Sequence, residues 1–271
     1  MRRIQCSAVL VAACAAGLSG FGAAQPAADT VRDGLNLRYG VAGVRGRVLD
    51  KHFYTINYSD DWRIPYWSAY LLTPGLLKGT ARRRDRFRPD TEIPKEARST
   101  LDDYKGKRFD RGHLAPAADF ARSTEAMAAT FLLSNMSPQY PNTNRGIWEN
   151  LEDQIRRLVG SVDSTWVVTG DAFMTEDSQS ANPKLWAKRG GLNRVAVPTH
   201  LFDAILTRDA KGRWYAYAFL VPNQPTRNSH PTSEYQLPVD RLEQITGFDF
   251  FAGLDSATQN GIESLAPAWP W

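Results

Sequence analysis

Apolar residues in NRGIWENLEDQIRRLVG (residues 144–160) recur at helical spacing. Ile147, Leu151, Ile155 and Leu158 fall within about 80° of arc at ~100° per residue, a stripe wide enough to bury, with Glu149, Asp153 and Arg157 on the opposite face. The spacing predicts a helix that opens at Asn144 and stops at Gly160. STEAMAATFLLSN (123–135) predicts a second helix, with a Ser or Thr cap, Glu125 in its first turn and Asn135 at its end. VDRLEQITGFDFF (239–251) predicts a short third one ending at Gly247. Aromatic and β-branched runs alternate with turn signals elsewhere. YTINYS (54–59) and YWSAYLLT (66–73) flank DDWRIP and predict an antiparallel hairpin. STWVVTGD (164–171), NRVAVPTHLFDAILT (193–207) and RWYAYAFLVPN (213–223) predict further strands, the last two paired across the polar turn RDAKGR. No repeat, low-complexity tract or long linker interrupts the 271-residue chain beyond residue 30, so one domain over residues 30–271 is the economical reading.

The first thirty residues break this pattern. Arg2 and Arg3 precede a long apolar run and then small residues near Ala23 and Ala24, the layout of a secretory signal peptide over residues 1–24. The expected address is secreted or periplasmic, with no membrane span left after cleavage. A lipoprotein anchor at Cys14 fits less well, because the apolar run continues past it to Phe21. A mitochondrial transit peptide would spread its arginines through an amphipathic helix. Both cysteines, Cys6 and Cys14, lie in this removable segment, which leaves no disulfide, thiolate zinc site or cysteine nucleophile in the mature chain. Formal net charge is +4, of which Arg2 and Arg3 carry two, so local patterning matters more than the total. ARRRDRFRP (81–89) gathers Arg82, Arg83, Arg84, Arg86 and Arg88, a cluster suited to polyanions or equally to a solvated loop. Asn57 and Asn135 match the N-glycosylation pattern.

Four histidines are present, His52, His113, His200 and His230, and no two stand four apart as on a helical zinc site. His200 lies in an apolar strand and reads as a core residue, while His52 and His230 have no polar constellation around them. That leaves His113, in FDRGHLAPAADF (109–120), beside Asp110, Arg111 and Gly112. A neutral imidazole can take a proton from water, and an arginine can fork onto a phosphate. A structural turn explains these four residues about as well. A second constellation, SNMSPQYPNTNRGIWENLEDQIRR (134–157), puts Asn144 at the head of the predicted helix. Its amide oxygen is a hard neutral ligand suited to Mg²⁺ or Ca²⁺. Glu152 and Arg156, four apart, could be only a helix surface pair worth ~0.3–0.5 kcal/mol.

DRGHLAPAA (110–118), then SNMSPQ, then N-x-G-x-W-x-x-L-E (144–152) resemble the DNA/RNA non-specific endonuclease family, the ββα-metal nucleases, with weaker likeness over roughly residues 35–255. The resemblance implies an α+β fold, a central antiparallel sheet flanked by helices with a ββα-metal motif at the active site. It implies His113 as general base and Asn144 as the direct ligand of Mg²⁺, with Mn²⁺ or Ca²⁺ as alternatives. It further implies Arg111 on the phosphate, Asp110 in the outer shell, Asn135 orienting the site, Glu152 holding water on the metal and Arg156 stabilising charge. Eight residues of α-helix rise ~12 Å, so Glu152 is expected to reach the ion of Asn144 only through water. The implied substrate is the DNA and RNA backbone, gripped in part by the arginine cluster, and the implied assembly is a homodimer. Two positions depart from the family pattern: Asp171 stands where proline is common and Asp203 where lysine is frequent. The alternatives are a nucleic-acid-binding protein without catalysis on the same fold, or a phosphodiesterase for small substrates.

Overall fold

The computed structural model describes residues 34–271 apart from 107, 176–184, 188–194 and 228–229. The predicted leader and both cysteines lie outside the described residues. The strands are β1 (Val41–Ala42), β2 (Arg47–Asp50), β3 (Thr55–Ser59), β4 (Ile64–Leu72), β5 (Asp110–His113), β6 (Met136–Gln139), β7 (Ser164–Ala172), β8 (Leu185–Ala187), β9 (Val195–Val197), β10 (His200–Arg208), β11 (Trp214–Pro222), β12 (Gln236–Leu237) and β13 (Asp249–Phe250). The α-helices are α1 (Pro74–Leu77), α2 (Thr124–Ala129), α3 (Glu149–Val159), α4 (Val239–Thr246) and α5 (Ser256–Ile262). None of the described helices is long and apolar enough to cross a membrane.

Seven strands form one sheet in the order β12-β11-β10-β7-β4-β3-β2, antiparallel at every step. Side chains alternate across a strand, so each strand feeds two cores. On one face Tyr70, Val167, Leu201, Ile205 and Phe219 pack with Leu151, Ile155 and Leu158 of α3. On the other, Trp67, Val168, Phe202, Ala204 and Ala218 pack with Val239, Leu242 and Ile245 of α4 and with Phe248 and Phe250. Covering both faces accounts for β7 and β10 reading as unbroken buried runs. The result is an α+β fold with helices on each side of a central antiparallel sheet, and a separate hairpin, β5–β6, set beside the α3 face.

Three predicted elements are shorter or more broken than their periodicity suggests. The helix at 123–135 stops at Ala129, although Ser123 caps it by accepting from Ala126 N at 3.0 Å. Phe131 and Leu133 instead pair their backbone with Arg88 (Arg88 N to Phe131 O, 3.1 Å; Leu133 N to Arg88 O, 2.9 Å), and tertiary pairing overrides local propensity. Asn135 therefore closes a 3₁₀ turn (Leu133–Asn135) that runs into β6. The helix at 144–160 begins as a wide π-turn, Thr143–Trp148, with Gly146 at φ −125° and ψ −106°, before becoming regular in α3. The strand at 193–207 divides at Pro198, which lacks an N–H; β9 pairs with β8 and β10 with β7 and β11. Other expectations match the structure: β3 and β4 are a hairpin, β10 and β11 are neighbours, and Gly247 ends α4 in the left-handed conformation at φ 73°.

Gln154 on α3 is buried and ties the helix to distant chain. Its Oε1 accepts from Thr232 Oγ1 and Trp269 Nε1, both at 2.6 Å, and its carbonyl from Trp271 Nε1 at 3.1 Å. Neither glycosylation pattern lies on the surface. Asn57 and Asn135 are fully buried, and each donates its amide to backbone carbonyls. His200 is only half-buried, at the start of β10, with Nδ1 3.0 Å from Thr199 Oγ1. His230 does have a polar partner, contrary to the sequence reading: Nδ1 lies 2.8 Å from Glu234, an exposed i,i+4 pair.

Candidate active site

The β5–β6 hairpin is held in register from Asp110 opposite Gln139 to His113 opposite Met136. Gly112 is needed for room: a Cβ there would lie 2.0 Å from Gln139 Cδ, so the glycine admits a buried side chain rather than supplying flexibility. Past His113 the chain is fastened by Asn135, whose amide uses its full capacity. Its Oδ1 accepts from Ala115 N (3.0 Å) and Ser68 Oγ (2.9 Å), and its Nδ2 donates to Ala115 O and Thr130 O (3.0 Å each). Its carbonyl also accepts from Leu114 N at 3.0 Å. Asn135 thus sits behind the site, joining β4, the stretch after His113 and the end of α2.

A cleft of about 330 Å³ opens between this hairpin and the π-turn leading into α3, lined by Arg83, Asp110, Arg111, His113, Asn144 and Arg145, with Glu152 and Arg156 deeper along α3. His113 is 8% exposed, its ring packed edge-on against Phe131 (4.9 Å) and tilted against Phe87 (5.6 Å), and Nε2 has no hydrogen-bond partner. Burial, then the Arg83 and Arg111 charges, push its pKa down to about 3, so the ring is neutral near pH 7. The same two phenyl rings carry the arginines: Arg111 lies 4.1 Å over Phe87 and Arg83 5.4 Å over Phe131.

On the facing side, Asn144 Nδ2 donates to Asp110 Oδ2 at 2.9 Å, and Arg145 forks onto the same carboxylate (Nε to Oδ2, 2.8 Å; Nη2 to Oδ1, 2.6 Å). With Nδ2 so engaged, the acceptor end of Asn144 keeps its lone pairs free of any described donor. Glu152 stands a helical turn before Arg156, 4.0 Å from Nη1. Arg156 is drawn inward by Asp119, a 2.7 Å pair in which the carboxylate side chain is 2% exposed. Burial raises Glu152 well above the ordinary carboxylate range, Asp119 adds to the rise, and Arg156 opposes it. Asp203, on the sheet beneath, raises it further; Asp203 is itself buried with Oδ2 unpartnered. A cation is the group that would relieve such a carboxylate. An unpaired amide oxygen and a desolvated carboxylate on one wall are an oxygen-only donor set suited to Mg²⁺ or a similar hard ion.

The structure thus brings Asp110, Arg111, His113, Asn144, Glu152 and Arg156 together and leaves Asn135 behind them. A π-turn around Gly146, not straight α-helix, leads from Asn144 toward Glu152, and both residues line the same cleft. The arginine cluster divides. Arg83 lines the cleft, Arg88 Nη1 is bound to Ala128 O at 2.8 Å, and Arg82, Arg84 and Arg86 are exposed outside it. Sequence reasoning missed Arg145, Asp119, Phe87 and Phe131. Arg145 lies inside the N-x-G motif, yet nothing in its neighbours says it turns to Asp110. Asp171 accepts from Ser137 Oγ at 2.9 Å beneath β6, and burial raises its pKa well above the usual range.

A ββα arrangement whose hairpin offers a neutral imidazole, and whose helix offers an amide oxygen flanked by arginines, defines a metal-dependent endonuclease. The comparisons with known proteins agree. Residues 33–257 match the model of the DNA/RNA non-specific endonuclease family, and the chain belongs to that family. It is 35% identical over 227 residues to Nuclease C1 of Cunninghamella echinulata var. echinulata, covering 82% of this chain and 89% of that one. It is 34% identical over 214 residues to human mitochondrial endonuclease G (79% and 72% covered). With the mitochondrial nuclease EXOG of Xenopus laevis it shares 36% identity over 236 residues, 85% of this chain but only 65% of that protein. Among solved structures, a chain from the EndoG/EndoGI complex superposes with a TM-score of 0.73 at 30% identity, covering 85% of this chain and 96% of that chain.

Proposed function

We propose that the chain is an exported, Mg²⁺-dependent, sugar-non-specific endonuclease that hydrolyses phosphodiester bonds in both DNA and RNA. The observation that carries this reading is the convergence, in one polar cleft, of an unpartnered neutral imidazole with Asn144, Glu152 and four arginines, Arg83, Arg111, Arg145 and Arg156. His113 Nε2 accepts a proton from the attacking water. Arg111 and Arg83, braced on Phe87 and Phe131, hold the scissile phosphate. Its negative charge offsets the Arg83 and Arg111 charges that, after burial, depress His113, so substrate raises the proton affinity of the base where it is needed. Arg156, fixed by Asp119, stabilises the charge that accumulates on the phosphorus oxygens. Asn144 would hold the Mg²⁺ directly, its amide set by Asp110 and Arg145, and Glu152 would hold it through water. When bound, the cation supplies positive charge for the phosphate and the departing 3′ oxygen. Every group in this set addresses phosphate rather than a base edge, which supports acceptance of either sugar.

Export rests on the order of Arg2, Arg3, the apolar run and Ala23-Ala24, although several relatives are named mitochondrial. A homodimer is part of the same reading, and its test is the mass in solution. For the activity, mature protein is incubated with plasmid and with a structured RNA, in Mg²⁺ or EDTA. Both polymers should be cut in Mg²⁺ only, and His113→Ala and Asn144→Ala should each lose cutting while keeping the fold. Intact plasmid in every tube would remove the enzyme reading, and unchanged cutting by His113→Ala would remove the assigned base.

A further inference from the structure

On the opposite side of the sheet from the cleft, α4 meets the end of α5. Asp240 lies in the first turn of α4, Glu243 one turn on, and Glu263 closes α5; Asp240 N donates to Glu263 O at 3.1 Å and locks the two segments together. One carboxylate oxygen from each of Asp240, Glu243 and Glu263 lies within 4.8 Å of the others. None of the ion pairs among the described residues uses any of the three. Glu263 is 5% exposed, and its Oε1 is buried without a hydrogen-bond partner. Glu243 spends one oxygen on Phe250 N at 2.7 Å. Asp249 on β13 adds a fourth negative charge to the neighbourhood.

A desolvated carboxylate with an unused oxygen, facing two more acids, must take up either protons or a cation. We infer that Asp240, Glu243 and Glu263 form a second cation site, distinct from Asn144, that takes Ca²⁺. The donor set is all oxygen, with no histidine or cysteine, which selects hard ions over zinc. Three separate carboxylates within 4.8 Å of one another suit the adaptable, high coordination number of Ca²⁺ better than the strict octahedron of Mg²⁺. Protons are the competing occupant. Burial, then in each case neighbouring carboxylates, raises both Glu243 and Glu263 above the ordinary carboxylate range, the mark of acids that lack a counter-charge. The ion would clamp α5, which buries no residue of its own, onto α4. Its role is therefore to hold the C-terminal segment, with no part in cutting.

The test uses the full chain carrying Asn144→Ala, stripped with EDTA, so that the cleft does not contribute a metal site. Calorimetric titration with CaCl₂ at pH 8 should give one Ca²⁺ per chain, with a matching rise in Tm. The same background with Glu243→Gln and Glu263→Gln should lose both signals, and Asp240→Asn should weaken binding at least tenfold. No heat and no Tm shift at millimolar Ca²⁺, or equal binding by the Gln variant, would overturn the site. If the Gln variant does not fold, Asp240→Asn decides alone, since its side chain is partly exposed; unchanged affinity there overturns the proposal. Because no nucleic acid is present, these outcomes are independent of whether the cleft cuts DNA.

Discussion

Removing the Asp110 carboxylate separates what that residue does for stability from what it does for the cleft. Asp110→Ala deletes three hydrogen bonds, two from Arg145 and one from Asn144. The Arg145 side chain is 69% exposed, so its pair contributes about 0–1 kcal/mol and Tm should move by only a few degrees. The Asn144 bond is different, because it decides which end of the amide faces the cleft. A hydrogen bond to a charged group contributes about 1.5–3 kcal/mol, and losing it lets the amide rotate. At 1.4 kcal/mol per decade, that corresponds to roughly a 10- to 100-fold rise in the Mg²⁺ concentration needed for half-maximal cutting. Plasmid nicking is followed over a Mg²⁺ series, with a thermal melt of the same preparation. Arg145→Ala is the control, since it leaves the Asn144–Asp110 bond intact, and its Mg²⁺ requirement should rise by less than about fivefold. If Asp110→Ala shifts the Mg²⁺ curve no further than Arg145→Ala, the carboxylate does not orient Asn144 and the argument fails.

Other expectations follow from the same geometry. Asp119→Ala breaks a buried ion pair and leaves Arg156 held only by Asp153 and Glu152 on its own helix, so it should cost about 3 kcal/mol and also slow cutting; a melt within a degree of wild type contradicts it. His113 has a folded pKa of about 3 against 6.5 unfolded, so the native state binds fewer protons between those values. Its contribution to stability is complete above pH 6.5 and is lost as pH falls toward 3. The stability gap between wild type and His113→Ala should therefore shrink by up to about 1.4 kcal/mol per pH unit in that window, and a constant gap rules out a buried neutral imidazole. Arg83→Ala should weaken cutting of long DNA and reduce its salt sensitivity more than Arg84→Ala, since only the former lines the cleft; equal effects would return the role to the whole cluster. Gly112→Ala should destabilise the hairpin by more than about 1 kcal/mol through overpacking against Gln139, and a neutral result in a urea melt counts against that close approach.

Much of the fold was legible because burial leaves a periodic trace. The α3 stripe, the β3–β4 hairpin and the β10–β11 pair all follow from side chains alternating or returning on schedule. What periodicity cannot register is backbone pairing between distant segments, and that ended the helix at Ala129 in favour of Arg88. Nor could it reveal that Gly146 would turn the head of α3 into a π-turn. The straight-helix rise therefore does not describe the path from Asn144 to Glu152, although both line one cleft. For the site, the resemblance of the two motifs to the family pointed to His113 and Asn144, and the structure brings both to one cleft. The partners that aim them were hidden. Arg145 and Asp119 are ordinary charges in sequence, and only the contacts across 35 and 37 residues identify them. The arginine run stayed ambiguous in sequence, since composition cannot tell a guanidinium facing the cleft from one bound to a carbonyl of α2.

The anchoring of Gln154 has a consequence for the order in which activity can arise during synthesis. Trp269 reaches back across 115 residues to that side chain, and its ring packs at 4.8 Å on Phe219 and 5.1 Å on Tyr217 beneath α3. Asn144, Glu152 and Arg156 are all translated long before this brace exists. A ribosome-bound chain therefore carries these cleft side chains, with the sheet residues that α3 packs on, before the C-terminal brace of that helix is made. The last residues of the chain are thus the last to be added to the support of the wall that carries Asn144, Glu152 and Arg156.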